Sequence, residues 1–264
     1  MKNNKKIKKN NRNKLKLCKS DYRLIKEIIK TIKKSPFIYK HFNNTYRTQL
    51  YTLDEILPLI FNILKYGYPW RHIEDLNTNI SWSTVHKAFQ KLTKFGVFES
   101  TYKELLHKYI KKTPGKKLKI LMTDTTTIYN KYNSDTAKIN KYYKNKNVIK
   151  ISVICDANGV PISVEIYSGN KNDANIFLSQ LNNDVLINKI IYDKYKKYLL
   201  GDKGYDSISI RNKLKDQNII PIIDYNKRNT KNKTKIKKLT VDEKEIYRKR
   251  LIVEHLFSKN KNAI

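Results

Sequence analysis

The spacing of hydrophobic positions changes near residue 113, from a helical period before it to strands and helices after it. Before that point, apolar residues recur three and four positions apart, as on one face of a helix. Pro58 predicts a kink or a late start in one helix. We therefore predict an all-helical module over residues 21–113, either a helix-turn-helix-like DNA-binding unit or a simple helical bundle. The predicted helices span residues 21–34, 53–67, 81–98 and 99–112.

The second half of the chain reads as a mixed sheet with helices. Residues 118–130 are rich in apolar and β-branched residues, as in a strand. Residues 148–169 alternate around an Asn-Gly turn, which is typical of a β-hairpin. Strands that first pair as a hairpin and then alternate with helices predict an α/β domain over residues 116–264, with flanking helices. The later predicted elements are helices 173–184 and 207–218, a strand from 197 that ends at Gly201-Asp202, and a strand at 219–224.

Composition narrows the range of partners. The chain has 56 Lys and Arg against 23 Asp and Glu, a formal charge of +33, which favours binding to nucleic acid. AT-rich coding would also enrich Lys, Asn, Ile and Tyr together, so part of the charge has a second explanation. The two cysteines argue against a disulfide framework or a zinc cluster. No apolar run reaches the length of a membrane span.

Two segments are basic and polar without an apolar pattern. Residues 1–20 have no apolar core, so we expect a disordered basic arm rather than a secretory signal. Residues 225–240 form a basic loop that is long enough to be functional or disordered. Both segments add to the positive charge that would attract a polyanion.

Three acidic residues stand out because apolar sequence surrounds them. Asp124 lies within a predicted strand, and Asp202 follows another, so both are expected near the middle of one sheet. A buried, unpaired carboxylate is costly. Glu254 adds a third acid on a C-terminal helix that must pack on that sheet. Three converging carboxylates would bind Mg²⁺ or Mn²⁺, and a pair of such ions promotes phosphodiester chemistry.

The C-terminal helix carries four polar residues on one face. Successive residues advance roughly 100°, so the four fall within an arc of about 60°. A solvated, salt-bridged helix is the simpler explanation of this stretch alone. Beside metal ligands, the same face would instead bind phosphates through its Arg and Lys. The four residues are Tyr247, Arg250, Glu254 and Lys261.

Together and in this order, these motifs resemble the DDE-type transposases of bacterial insertion sequences. The family's Y-(2)-R-(3)-E-(6)-K signature is matched in full by the helix face just described. The segments TDTTTI and GDKGYDS are similar to the family's two aspartate motifs. The resemblance covers about residues 45–262. It implies a catalytic domain with a ribonuclease H-like fold.

The resemblance also implies a function. Asp124, Asp202 and Glu254 would be the catalytic residues and the ligands of two Mg²⁺ or Mn²⁺ ions. The enzyme would cleave transposon ends as an endonuclease and transfer the 3′-OH into target DNA. It would act as a homodimer on double-stranded DNA inside the cell, at the nucleoid or in a nucleus, without a membrane or a small-molecule substrate. The implied DNA-contacting residues are Tyr247, Arg250 and Lys261.

Two alternatives stay open: an inactive or domesticated DNA-binding remnant, and a ribonuclease H-like nuclease without strand transfer. The sequence stops ten residues after Glu254, where family members continue, which predicts a truncated or frame-shifted copy. The intact acids favour activity, and the short C-terminus argues against it. Asp173 and Asp206 are expected to cap helices rather than to bind metal.

Overall fold

The protein is described by a computed structural model. Its described residues divide into two compact units. The first comprises the residues up to Tyr109 together with 260 and 261, and the second runs from Ile110 to Lys259. The domain limits expected at 113 and 116 stay a prediction. Most of the expected basic arm and of the basic loop lies outside the described residues. Those residues are 15–42, 51–76, 78–113, 118–130, 136–183, 196–226 and 238–261, with the backbone alone over 259–261.

The first unit consists of helices around an apolar core. Leu57, Ile60 and Leu92 are fully buried in it. The third helix begins at Leu53 and not late at Pro58. Thr52 caps its start, and the Glu55 side chain accepts a hydrogen bond from the Thr52 N–H. The helix-turn-helix-like unit or simple helical bundle stays a prediction. The helices are α1 (Lys19–Lys34), α2 (Pro36–Phe42), α3 (Leu53–Tyr66), α4 (Trp82–Lys94) and α5 (Val97–Lys112), with a 3₁₀ turn at Trp70–Asp75.

The second unit contains a mixed six-stranded sheet. β1 pairs antiparallel with β3 and parallel with β5, while β4 and β6 extend the sheet on either side. The strand order is β4-β3-β1-β5-β6. The predicted ribonuclease H-like fold, a mixed sheet with flanking helices, is confirmed. The short β2 beside β3 was not predicted. The strands are β1 (Ile120–Tyr129), β2 (Lys138–Asn140), β3 (Lys146–Asp156), β4 (Pro161–Ser168), β5 (Lys197–Gly201) and β6 (Ile219–Ile223).

Helices cover both faces of this sheet. On one face, Met122 and Leu200 pack against Val253 of the last helix. Neighbouring strand residues point to opposite faces. Val153 of β3 belongs to the cluster of the first face, so its neighbour Ser152 points to the other face. There Ser152 donates a hydrogen bond to Gln180, which lies in the helix Asp173–Asn183. No described helix is long and apolar enough to cross a membrane. The helices are α6 (Asp173–Asn183), α7 (Ile208–Asp216), α8 (Val241–Tyr247) and α9 (Leu251–Lys261).

Two glycines shape the hairpin of β3 and β4. The predicted Asn-Gly turn is present, and Gly159 adopts a φ of 75°, which favours glycine. Gly169 lies directly after β4 and against β3. A Cβ atom on Gly169 would stand 2.1 Å from the carbonyl oxygen of Val148. This approach of two backbones excludes any side chain at that position.

We expect Gly169→Ala to lower the free energy of unfolding of the full chain by about 2–3 kcal/mol, because the Val148 backbone must move. Gly204→Ala is the matched control in the same unit, since a methyl group on Gly204 would meet nothing within 4 Å beyond its chain neighbours. Urea unfolding followed by circular dichroism measures both. Equal losses for the two variants would contradict the steric explanation.

Candidate active site

The parallel register of β1 and β5 brings two acids together. Met122 is aligned with Leu200. Two residues further on, Asp124 lies within β1 and Asp202 is the first residue after β5, so extending the same register places the two acids level. Residues two apart share a face, and neighbouring strands lie about 4.8 Å apart. The two acids therefore continue the sheet face on which Met122 and Leu200 are buried.

Glu254 reaches the same face from α9. It follows Val253, which packs in the apolar cluster of that face. The Glu254 carboxylate is half-buried and accepts a hydrogen bond from the Arg250 guanidinium at 2.5 Å. This geometry brings the third acid to the sheet through helix packing rather than through strand pairing.

The expected single α-helix is interrupted, which corrects the sequence prediction. A 3₁₀ turn at Arg248–Arg250 separates α8 from α9. Side chains three apart eclipse in such a turn. The Arg250 guanidinium consequently lies 5.7 Å from the centre of the Tyr247 ring. The tighter turn aligns these two residues more closely than a regular α-helix would.

The Arg250 guanidinium lies in the electric field of all three acids. Burial is the largest single influence and by itself lowers the pKa of Arg250. The attraction of Tyr247 and the three carboxylates outweighs it, so the pKa is raised. Arg250 is thus a fixed positive charge at the centre of an acidic cluster. Its side chain is only 18% exposed, which limits screening by water.

Asp124 lies in an environment that disfavours its charged form. Burial is the main reason that its pKa is raised, to about 6. Repulsion from Glu254 and Asp202 adds to this rise. A hydrogen bond from the Thr125 N–H and the attraction of Arg250 oppose it. Such an environment favours a cation beside the carboxylate, because a cation stabilises the charged form.

The acids fit a divalent ion by chemistry and charge. Three carboxylates supply the oxygen ligands that Mg²⁺ and Mn²⁺ prefer. Within the part of the chain that the structure describes, however, no three His, Cys, Asp or Glu side chains already converge as ligands of one ion. The Glu254 carboxylate is instead engaged by Arg250. The arrangement is thus a group of acids in which one carboxylate, that of Glu254, is occupied by an ion pair with Arg250.

The residues after Asp202 fix the end of β5. Asp202 accepts a hydrogen bond from the Lys203 N–H at 2.6 Å and caps a short 3₁₀ turn. Tyr205 in that turn is buried, and its hydroxyl lies 2.8 Å from the Thr125 hydroxyl. This contact ties the strand of the first acid to the loop of the second. Sequence reasoning missed both partners, although Tyr205 lies inside the second aspartate motif.

Asp206 is part of an ion pair rather than a helix cap, which corrects the expectation. Its carboxylate accepts from Arg211 Nε at 2.8 Å and from the Asn226 N–H at 2.6 Å. Ser207 caps α7 instead. Arg211 also donates to the Ile223 carbonyl. The pair therefore joins the start of α7 to the end of β6, beside the candidate site.

Asp173 is also not the cap of its helix. The Asn172 side chain accepts a hydrogen bond from the Ala174 N–H in the first turn of α6, and Asp173 accepts a hydrogen bond from Lys150 at 2.7 Å. Lys150 is buried and donates as well to the Lys171 carbonyl. These contacts fasten the turn after β4 onto β3. Asp173 therefore has a structural partner of its own.

The predicted DNA-contacting residues are only partly described. Tyr247 is half-buried, packs on the apolar cluster under the acids, and has a pKa raised mainly by burial. Arg250 lies beside it. Lys261 ends α9, and its side chain lies outside the described residues. The structure therefore brings together two of the three residues with the acids.

Solved structures with some similarity are transposases. The catalytic domain of Mos1 mariner transposase is 12% identical, covering 62% of this chain and 87% of that chain, with a TM-score of 0.31. The Mos1 paired-end complex with the left transposon end is 12% identical, covering 92% and 98%, with a TM-score of 0.29. TM-scores this low carry no argument. No curated protein matches the sequence.

The family comparison is more informative. The sequence profile described as "Transposase DDE domain" matches residues 115–263. This is more than half of the chain, and it includes every element from β1 to α9 together with Asp124, Asp202 and Glu254. The chain therefore belongs to the transposase DDE domain family.

Proposed function

We propose that this transposase cleaves the DNA ends of its element in a metal-dependent reaction and transfers the freed 3′-OH to target DNA. One observation supports this above the others. Asp124 lies in β1, Asp202 directly follows the adjacent parallel strand β5, and Glu254 lies on the helix that packs on the same sheet face. All three acids act on the single Arg250 guanidinium. These observations support one shared site for three acids that are remote in sequence.

Asp124, Asp202 and Glu254 would hold Mg²⁺ or Mn²⁺, as a pair of ions. When bound, such ions activate the attacking oxygen and stabilise the leaving oxygen of a phosphodiester. The protein contributes three carboxylates on rigid elements. The Thr125–Tyr205 hydrogen bond and the packing of α9 keep those elements in register.

Arg250 suits a phosphate as well as a carboxylate. Its planar guanidinium donates in pairs to either group. Because its pKa is raised, it stays charged at every pH of interest. A DNA phosphate would compete with Glu254 for Arg250 and so release the third acid for metal. Tyr247 and Lys261 are proposed to contact DNA beside it.

The remaining assignments concern the assembly. The formal charge of +33 supports double-stranded DNA as the partner. An element has two ends to cut, so we propose two copies of the chain on DNA. The helical first unit is proposed to bind DNA in a helix-turn-helix-like manner. The protein would act at the DNA inside the cell.

Replacing an acid should abolish cleavage without abolishing binding. We expect Glu254→Gln and Asp124→Asn to lower the cleavage rate roughly 10³-fold, since charge stabilisation of several kcal/mol is lost. Glu245→Gln, an exposed carboxylate on α8, is the matched control. The assay uses labelled duplexes carrying the DNA that flanks the gene, with Mn²⁺. Full activity of Glu254→Gln would refute the assignment.

Metal binding should be detectable without any reaction. We expect Mn²⁺ to raise the unfolding temperature of the wild type, because a ligand that binds only the folded state stabilises it. Glu254→Gln should show a smaller rise, and Glu245→Gln should behave like the wild type. Removal of metal by a chelator should stop cleavage. An identical rise in all three proteins would contradict a metal site at these acids.

A further inference from the structure

The antiparallel half of the sheet continues past the acids. β5 ends at Gly201, whereas β1 runs on to Tyr129, paired with β3 throughout. Tyr129 lies five residues beyond Asp124, which is about 16 Å at the usual strand rise. β2 pairs with β3 at the level of Tyr129. The sheet thus carries an extension of β1, β2 and β3 on the side of the candidate site.

The end of this extension is cationic and aromatic. We call residues 141–146, with the sequence KYYKNK, the tip. Every residue of the tip is exposed, and the Tyr142 side chain is 96% exposed. The Lys146 ammonium lies 4.9 Å from the centre of the Tyr129 ring. Residues 138–146 contain no acidic side chain, and Asp173, which lines the same pocket as Lys141, is paired with Lys150.

The tip has a defined shape. The buried Asn140 side chain donates to the Gly169 carbonyl at 2.7 Å and accepts the Tyr142 N–H at 2.9 Å. Lys144 and Asn145 adopt φ values of 52° and 56°. Left-handed backbone is unfavourable for lysine and persists only where the surroundings enforce it. Asn140 therefore fixes the backbone at Tyr142, from which the exposed ring projects between lysines.

We propose that the tip binds DNA beyond the cleavage point, with Lys141 and Lys146 on phosphates and Tyr142 stacked on an unpaired base. This inference rests on the proposed function, because DNA held at Asp124 would continue along the extension. The distance of about 16 Å corresponds to roughly five nucleotides at 3.4 Å each. Lysines interleaved with an exposed aromatic ring are the chemistry that binds single strands. Bases inside a duplex are already stacked on their neighbours, so the exposed Tyr142 ring favours an unpaired base.

The stacking contact is tested with two labelled DNAs, a blunt duplex and the same duplex with a single-stranded tail. Fluorescence anisotropy with the full chain and a chelator measures binding without cleavage. We expect Tyr142→Ala to weaken binding of the tailed DNA about fivefold or more and to leave the blunt duplex unchanged. Tyr142→Phe keeps the ring and should bind like the wild type. Wild-type affinity of Tyr142→Ala for the tailed DNA would overturn the stacking contact.

The phosphate contacts are tested by charge. The double variant Lys141→Gln/Lys146→Gln should reduce the salt dependence of log K by roughly 1.4–1.8. Lys196→Gln/Lys215→Gln is the matched control, since both lysines are exposed at the opposite end of β5 and β6. Equal effects of the two pairs would overturn the assignment. Binding is measured without metal, so it is independent of cleavage. If the tip variants weaken binding but the wild type does not cleave DNA, only the proposed reaction is refuted. If the wild type cleaves DNA but the tip variants bind normally, only this inference is refuted.

Discussion

Three like charges on one partly buried surface are the constraint on which the catalytic unit depends. Asp124, Asp202 and Glu254 repel one another, and burial further raises the pKa of Asp124. A folded chain accepts this only with a compensating positive charge nearby. Arg250 supplies that charge and bonds directly to Glu254. The guanidinium thus offsets part of the repulsion among the acids, and the same repulsion favours an added cation.

The fold meets this constraint with elements that cannot easily slip. Parallel pairing of β1 with β5 fixes Asp124 relative to Asp202, the residue directly after β5, since a shift of one residue would turn a side chain to the other face. The apolar residues Met122, Leu200 and Val253 fix α9 on that face. Buried polar contacts then hold the loops, through Tyr205 near the second acid and Asp206 beside β6. Each acid is therefore carried by a rigid element and supported by a different kind of interaction.

Much of the fold was predictable, because its signals are local. The alternation of β3 and β4 and the Asn-Gly turn predicted the hairpin, and the apolar strand before Asp202 predicted β5. The cap assignments of Asp173 and Asp206 were wrong, since a short acidic residue near a helix start serves equally in a cap or an ion pair. Their partners Lys150 and Arg211 lie 23 and 5 residues away and become neighbours only after folding. The 3₁₀ turn in the signature helix had no local signal either.

By itself the sequence determined which residue types the site can use, the strands and helices that carry them, and the family to which the chain belongs. These follow from periodicity and motif spacing, which are properties of neighbouring residues. Only the tertiary structure decided that Arg250 bonds to Glu254 amid the other acids, that Gly169 must admit the Val148 carbonyl, and that a cationic tip lies beyond the site. Those arrangements bring together residues that are far apart in sequence, so they are determined by tertiary packing and not by local sequence.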